Sequence, residues 1–153
     1  MKAHFIAVIP QDPRARFAPD RLSAMQTLLA KLCRTDETRI KDFGERLQFI
    51  DCGDNPGAIF CPTCAAELDL TWWGQRMDHA WDADQGFYMC GFETPCCGAT
   101  TRLDGLDYRP AQGFATWFVS ARQTKPAKLT QSDQDRLTTT AGQPLRFVYQ
   151  TYA

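Results

Sequence analysis

Residues 93–103 read ETPCCGATTRL, with Cys96 and Cys97 side by side. Neighbouring side chains of a regular strand point to opposite faces, so two adjacent thiols in a strand would diverge. Pro95 before the pair and Gly98 after it favour a turn instead, where the two side chains converge. A second pair lies upstream across 31 intervening residues, in FCPTCAAELDL at 60–70, where Cys61 and Cys64 flank Pro62 and Thr63. A Cys-x-x-Cys turn sets two sulfurs on one side of a tight bend. Two such bends supply the four thiolates that zinc takes in a tetrahedron, with Zn–S about 2.3 Å. The expected metal ligands are therefore Cys61, Cys64, Cys96 and Cys97, and the expected cofactor is Zn2+. Iron in a rubredoxin-like site would use the same thiolates. Two rivals for one of the adjacent cysteines remain open at this point. They are Cys90 in FYMCGFE and His79 in TWWGQRMDHAWDA.

Working outward, residues 57–102 resemble the zinc ribbons, whose pattern is a CPxCG knuckle, a short hairpin and a second knuckle. Cys61 and Cys64 match the first knuckle, with Ala65 in the place of its Gly, while Cys96-Cys97 replaces the usual second CxxC. The chain also resembles small uncharacterised bacterial proteins that carry a CPxC and a PCCG, a likeness that brings no activity with it. The ribbon likeness implies a structural metal. Structural zinc contributes on the order of 10 kcal/mol, enough to organise a short segment with little core of its own. It also implies that GFYMCGFE is a strand into the second knuckle, with Cys90 part of its packing.

The flanks carry the rest of the fold. HFIAVI at 4–9 is an apolar run of strand length ended by Pro10. From Asp20, which can cap a first turn, Leu22, Met25, Leu29 and Leu32 recur at helical steps. RTDETRIKDFGE is polar and reads as a loop, and RLQFIDC at 46–52 alternates as a strand. Near the other end, GFATWFVSA at 113–121 alternates Ala115, Trp117, Val119 and Ala121 against Phe114, Thr116 and Phe118. KLTQSDQDRLTTTAG offers Thr130 and Ser132 as helix caps and Gly142 as a stop. PLRFVYQTY closes as a strand. Strand, helix, strand at each end predicts an α+β, ferredoxin-like antiparallel sheet with both helices on one face. The expected organisation is one domain over 1–153. Residues 1–52 form a first βαβ unit, 53–110 an inserted zinc-ribbon-like subdomain, and 111–153 a second βαβ unit.

Composition narrows the function. The chain is 44% hydrophobic and 23% charged, which places it among globular rather than disordered proteins. No apolar run approaches the roughly 18 residues of a membrane span. MKAHFIAVIPQDP has too short an apolar stretch for a secretion signal, so a cytoplasmic location is expected. Seven cysteines, an odd number, then argue for metal or burial rather than a disulfide framework. Cys33 and Cys52 read as buried thiols. Among enzyme signatures, HExxH, G-x-S-x-G, the P-loop and the deaminase H-x-E with P-C-x-x-C are missing. A Cys52 nucleophile would need His4 or His79 as base, and neither is placed near it by sequence. Catalysis is disfavoured on this reading, with a zinc enzyme as the third choice.

Charge is unevenly spread. Residues 47–109 hold ten Asp/Glu against three Lys/Arg, while both ends are mildly basic. Trp72, Trp73, Phe87, Tyr88, Phe92 and Tyr108 could stack on bases, but an acidic insert repels phosphates, and most of these rings suit a core better. The expected role is protein binding, as an adaptor, regulator or immunity-type partner, with a cationic protein as the fitting partner. Nucleic-acid binding through the sheet or the basic ends is the alternative. In HAWDADQG, Asp82 and Asp84 are expected at a helix end and are read as contact candidates.

Overall fold

The computed structural model describes residues 2–153. Strand β1 (Ala3–Pro10) is the apolar run near the start of the chain. It leads into helix α1 (Pro19–Cys33), whose first position is Pro19 and whose N-cap is Ala18, so Asp20 sits in the first turn rather than capping it. Leu22, Met25 and Leu29 bury one stripe of this helix. Strand β2 (Thr38–Asp42) follows. The chain then forms β3 (Gln48–Ile50) and enters the middle segment through β4 (Ala58–Phe60). It leaves through β9 (Asp107–Arg109) and continues as β10 (Gly113–Ala115) and β11 (Trp117–Gln123). Helix α3 (Gln131–Ala141) and strand β12 (Leu145–Tyr152) complete it. Thr130 caps α3 by accepting from the Asp133 N–H at 3.1 Å, and Gly142 ends it in the left-handed region.

The main sheet has four strands in the order β12-β1-β11-β2, and every neighbouring pair is antiparallel. Ile6 and Val8 of β1 and Trp117, Val119 and Ala121 of β11 face α1 and α3, forming one core with Leu22, Met25, Leu29 and Leu137. Ala7, Ile9, Phe118 and Val148 point to the opposite face. There they meet Ile50, Cys52 and Ala115 in a second cluster that fastens the middle segment to the sheet.

Two expectations change in detail. The second strand of the main sheet is β2, inside the polar stretch read as a loop. RLQFIDC contributes β3, which pairs with β10 in a separate two-stranded ladder. Of β2, Ile40 packs against the core, whereas Arg39 and Lys41 are exposed. An edge strand with one inward apolar residue carries almost no hydrophobic alternation; its backbone pairing with β11 decides it. The 113–121 run also divides at Thr116, whose carbonyl accepts from the Phe43 N–H at 2.8 Å. Phe114 therefore serves the core of the middle segment, Ala115 the junction and Trp117 the helix-facing core.

The middle segment has its own core. Leu47, Ile59, Cys61, Leu68, Leu103, Leu106, Tyr108 and Phe114 are buried together, and Trp72, Trp73, Phe87 and Phe92 pack against them. Helix α2 (Leu70–Ala80) is capped by Asp69, which accepts from the Thr71 N–H at 2.8 Å. It stops before Trp81. Trp81–Asp82 (β5) pairs with Gly86–Phe87 (β6) in a small hairpin. Among the described residues no helix is long and apolar enough to cross a membrane.

Candidate metal centre

Each cysteine pair stands at the tip of a hairpin. In the first, β4 runs up to the turn, Phe60 bridges Glu67, and the Leu68 N–H returns to the Ile59 carbonyl at 2.8 Å. At the tip the Cys61 N–H donates to the Ala66 carbonyl at 2.9 Å, and the Ala65 N–H donates to the Cys61 carbonyl at 3.0 Å. Closing so short a turn forces Ala65 to φ 64°, a left-handed conformation that a side chain disfavours. In the second hairpin β7 (Phe92–Glu93) pairs with β8 (Thr100–Thr101). Its tip closes through Thr94 N–H to the Ala99 carbonyl and Gly98 N–H to the Thr94 carbonyl, both at 2.9 Å, with Gly98 at φ 73°.

The two tips face each other. The sulfurs of Cys61, Cys64, Cys96 and Cys97 all lie within 4.8 Å of one another. Cys64 and Cys96 Sγ are 3.4 Å apart, and Cys61 and Cys97 Sγ are 3.8 Å apart. Tetrahedral sulfurs about 2.3 Å from one ion stand about 3.8 Å from each other, so this spacing fits one metal. Cys61 is buried at the base of the group, whereas Cys64, Cys96 and Cys97 are exposed. Adjacent cysteines converge here because residues 95–98 form a turn and not a strand.

The sulfurs are electrostatically uneven. The backbone N–H of Cys64 is the strongest of the hydrogen bonds that pull the Cys61 thiol down to about 6. Cys97 is also lowered, first by the Thr94 hydroxyl and then by the Ala99 N–H. Cys64 goes the other way, up to about 12. The Ala66 N–H pulls it down, but the Cys96 thiol, burial and the thiols of Cys61 and Cys97 together outweigh it. Four thiols in one cluster cannot all ionise without a cation, so a metal that binds here near neutral pH displaces protons.

The rivals fall outside the cluster. Neither His79 nor Cys90 belongs to the group of converging ligand atoms. Both line a separate cleft of about 230 Å³ with Arg76 and Tyr88. Cys90 lies outside any strand and is exposed, contrary to the packing role expected for it. Cys52 is buried, as expected, and its thiol donates to the Asn55 carbonyl at 3.1 Å. Burial pushes that thiol up, which suits a packed side chain and not a nucleophile. Cys33 at the end of α1 is half-buried and likewise raised by burial.

One residue of the site carried no signal in the cysteine count. Thr94 is 3% exposed, with its Oγ1 3.4 Å from Cys97 Sγ and 3.9 Å from Cys61 Sγ. Threonine is not a thiolate or imidazole ligand; only its offset before the cysteine pair marks it. One of the charge candidates has a structural role. Asp82 follows directly on the C-cap of α2, Trp81, and its Oδ1 accepts from the N–H groups of Asp84 and Gln85 at 2.8 and 2.9 Å, so it also holds the β5–β6 turn. No protein family, curated protein or solved structure matches the chain.

Proposed function

We propose that the four cysteines hold one structural zinc ion, and that the protein acts in the cytoplasm by binding another protein through the acidic middle segment. The convergence of four sulfurs within 4.8 Å carries the metal part of this reading. Catalytic zinc sites keep three protein ligands and an open position. Here the group is complete with four thiols and contains no His or carboxylate, which favours a structural role. We read the architecture as a ferredoxin-like sheet with a zinc-ribbon-like insert. The strand order, fourth-first-third-second for the four strands in chain order, supports the first half. The paired knuckle hairpins support the second.

The surface of the insert favours a cationic protein. Trp81 and Tyr88 are 42% and 45% exposed, unusual for such large rings, and lie close in sequence to exposed Asp78 and Asp84. An aromatic anchor with an acidic rim fits a basic partner surface. Such a role would be that of an adaptor, a regulator or a neutralising partner of the immunity type. A pull-down with the intact, metal-loaded chain tests it. A captured basic protein should associate more slowly as salt rises, and Asp78→Lys with Asp84→Lys should weaken it. Association unaffected by salt and by both changes would remove the electrostatic reading.

A second reading rests on the sheet. On the face away from the helices, the Arg39 guanidinium lies 5.3 Å from the Phe118 ring centre and the Lys41 ammonium 5.8 Å from that of Phe43. Cations beside rings suit a single-stranded nucleic acid. Fluorescence titration with single-stranded RNA at low salt separates this reading from the first.

A further inference from the structure

The two knuckles correspond residue by residue. Each closes with two backbone hydrogen bonds of the same pattern, from the first residue to the sixth and from the fifth back to the first. Each has Pro second, Pro62 or Pro95, and a left-handed residue fifth, Ala65 or Gly98. In this register Cys64 matches Cys97, and Cys61 matches Thr94. Cys96 matches Thr63, which is no ligand. So the second knuckle places its first sulfur two residues later than the first knuckle does.

The side chain at the vacated place is not idle. Thr94 is buried, and among the described residues the thiols of Cys61 and Cys97 are the hydrogen-bond partners of its hydroxyl. A buried hydroxyl needs a partner, and beside a thiolate it is the donor. Cys97 is the nearer acceptor, at 3.4 Å. Cys96, exposed and 3.4 Å from Cys64, completes the group from the solvent side.

We propose that the second knuckle is a variant of the first in which the metal ligand has moved from position 94 to position 96, leaving Thr94 as a positioning residue that donates its O–H to the metal-bound sulfur of Cys97. The proposal rests on the metal reading given above. It has a sharp consequence: a cysteine placed at 94 should reach the metal, because the backbone there already has the geometry that presents Cys61.

Cobalt(II) titration of the full-length, reduced protein tests this, since the thiolate-to-cobalt charge-transfer band grows with the number of bound sulfurs. Cys96→Ser should weaken cobalt binding at least about tenfold and reduce the band. Adding Thr94→Cys to Cys96→Ser should restore the band to wild-type intensity and recover most of the affinity. In the otherwise intact chain, Thr94→Val should keep four sulfurs on the metal but weaken binding about tenfold, while Thr94→Ser stays near wild type. A double variant that binds no better than Cys96→Ser overturns the proposal. So does a Thr94→Val protein that binds as tightly as wild type, an arm that decides the matter even if the double variant fails to fold. Wild-type protein that takes up no cobalt overturns the metal reading itself, and this proposal with it. One bound cobalt without rescue overturns this proposal alone.

Discussion

Ala65 shows how closely the knuckle is drawn. Its φ of 64° is a conformation that costs an L-residue roughly 1–2 kcal/mol, which Gly avoids. Gly98 adopts 73° at the matching place, and a methyl group added there would meet no atom within 4 Å. Any penalty at Gly98 is therefore purely conformational. Ala65→Gly should raise stability by up to about 1 kcal/mol, after allowing for the freer unfolded chain, and Gly98→Ala should lower it by about 1 kcal/mol. Urea unfolding of the metal-loaded protein measures both. Shifts of the same sign would show that the two turns are not equivalent. At this scale the sequence was highly legible, because Pro and Gly around two cysteine pairs are turn residues with a mechanical reason. Thr94 was not. Nothing about a threonine announces that its hydroxyl will face two sulfurs until the turn is closed.

At the scale of elements, legibility followed the number of inward side chains. Strand β1 and helix α1 bury several residues each and could be read from their periodicity. Strand β2 inserts Ile40 as its one apolar residue, so pairing with β11 defines it and no hydrophobic pattern does. Helix α2 ends at Ala80, because Trp81 turns into the β5 hairpin and packs on Phe87 at 4.9 Å between ring centres. One hydroxyl adds a polar tie to the apolar packing of helix α2. Tyr108 donates to the Leu103 carbonyl at 2.8 Å and accepts from Trp73 Nε1 at 3.1 Å. Tyr108→Phe would leave both groups without that partner in a buried place. It should cost about 2 kcal/mol, whereas Tyr88→Phe, at an exposed ring, should cost almost nothing. Thermal unfolding of the two variants gives the comparison, and equal losses would contradict this packing.

The whole molecule is a helix-backed sheet and a middle segment that carries the four-cysteine cluster, joined by a small apolar seam. The sheet's helix-facing core draws nothing from residues 53–110, while the segment's core includes Cys61 of the four-cysteine cluster. The seam of Ile50, Cys52, Ala115 and Phe118 links them, together with the backbone bonds of Thr151 to Cys52 and Asp54. Cys64→Ser should therefore loosen the segment around Trp72, Trp73 and Trp81 while the sheet and its helices keep their secondary structure. Tryptophan emission should shift to the red with most far-ultraviolet dichroism retained. Simultaneous loss of both signals would show that seam and metal make one cooperative unit.

The central claim is that two hairpin tips, one with adjacent cysteines, close around a single thiolate-bound metal. Elemental analysis of the freshly purified, fully reduced protein tests it most directly. About one equivalent of zinc per chain is the predicted result, and iron at the same stoichiometry would keep the four-thiolate site while changing its metal. Well under about half an equivalent of any thiophilic metal, with all seven thiols reduced, would contradict it.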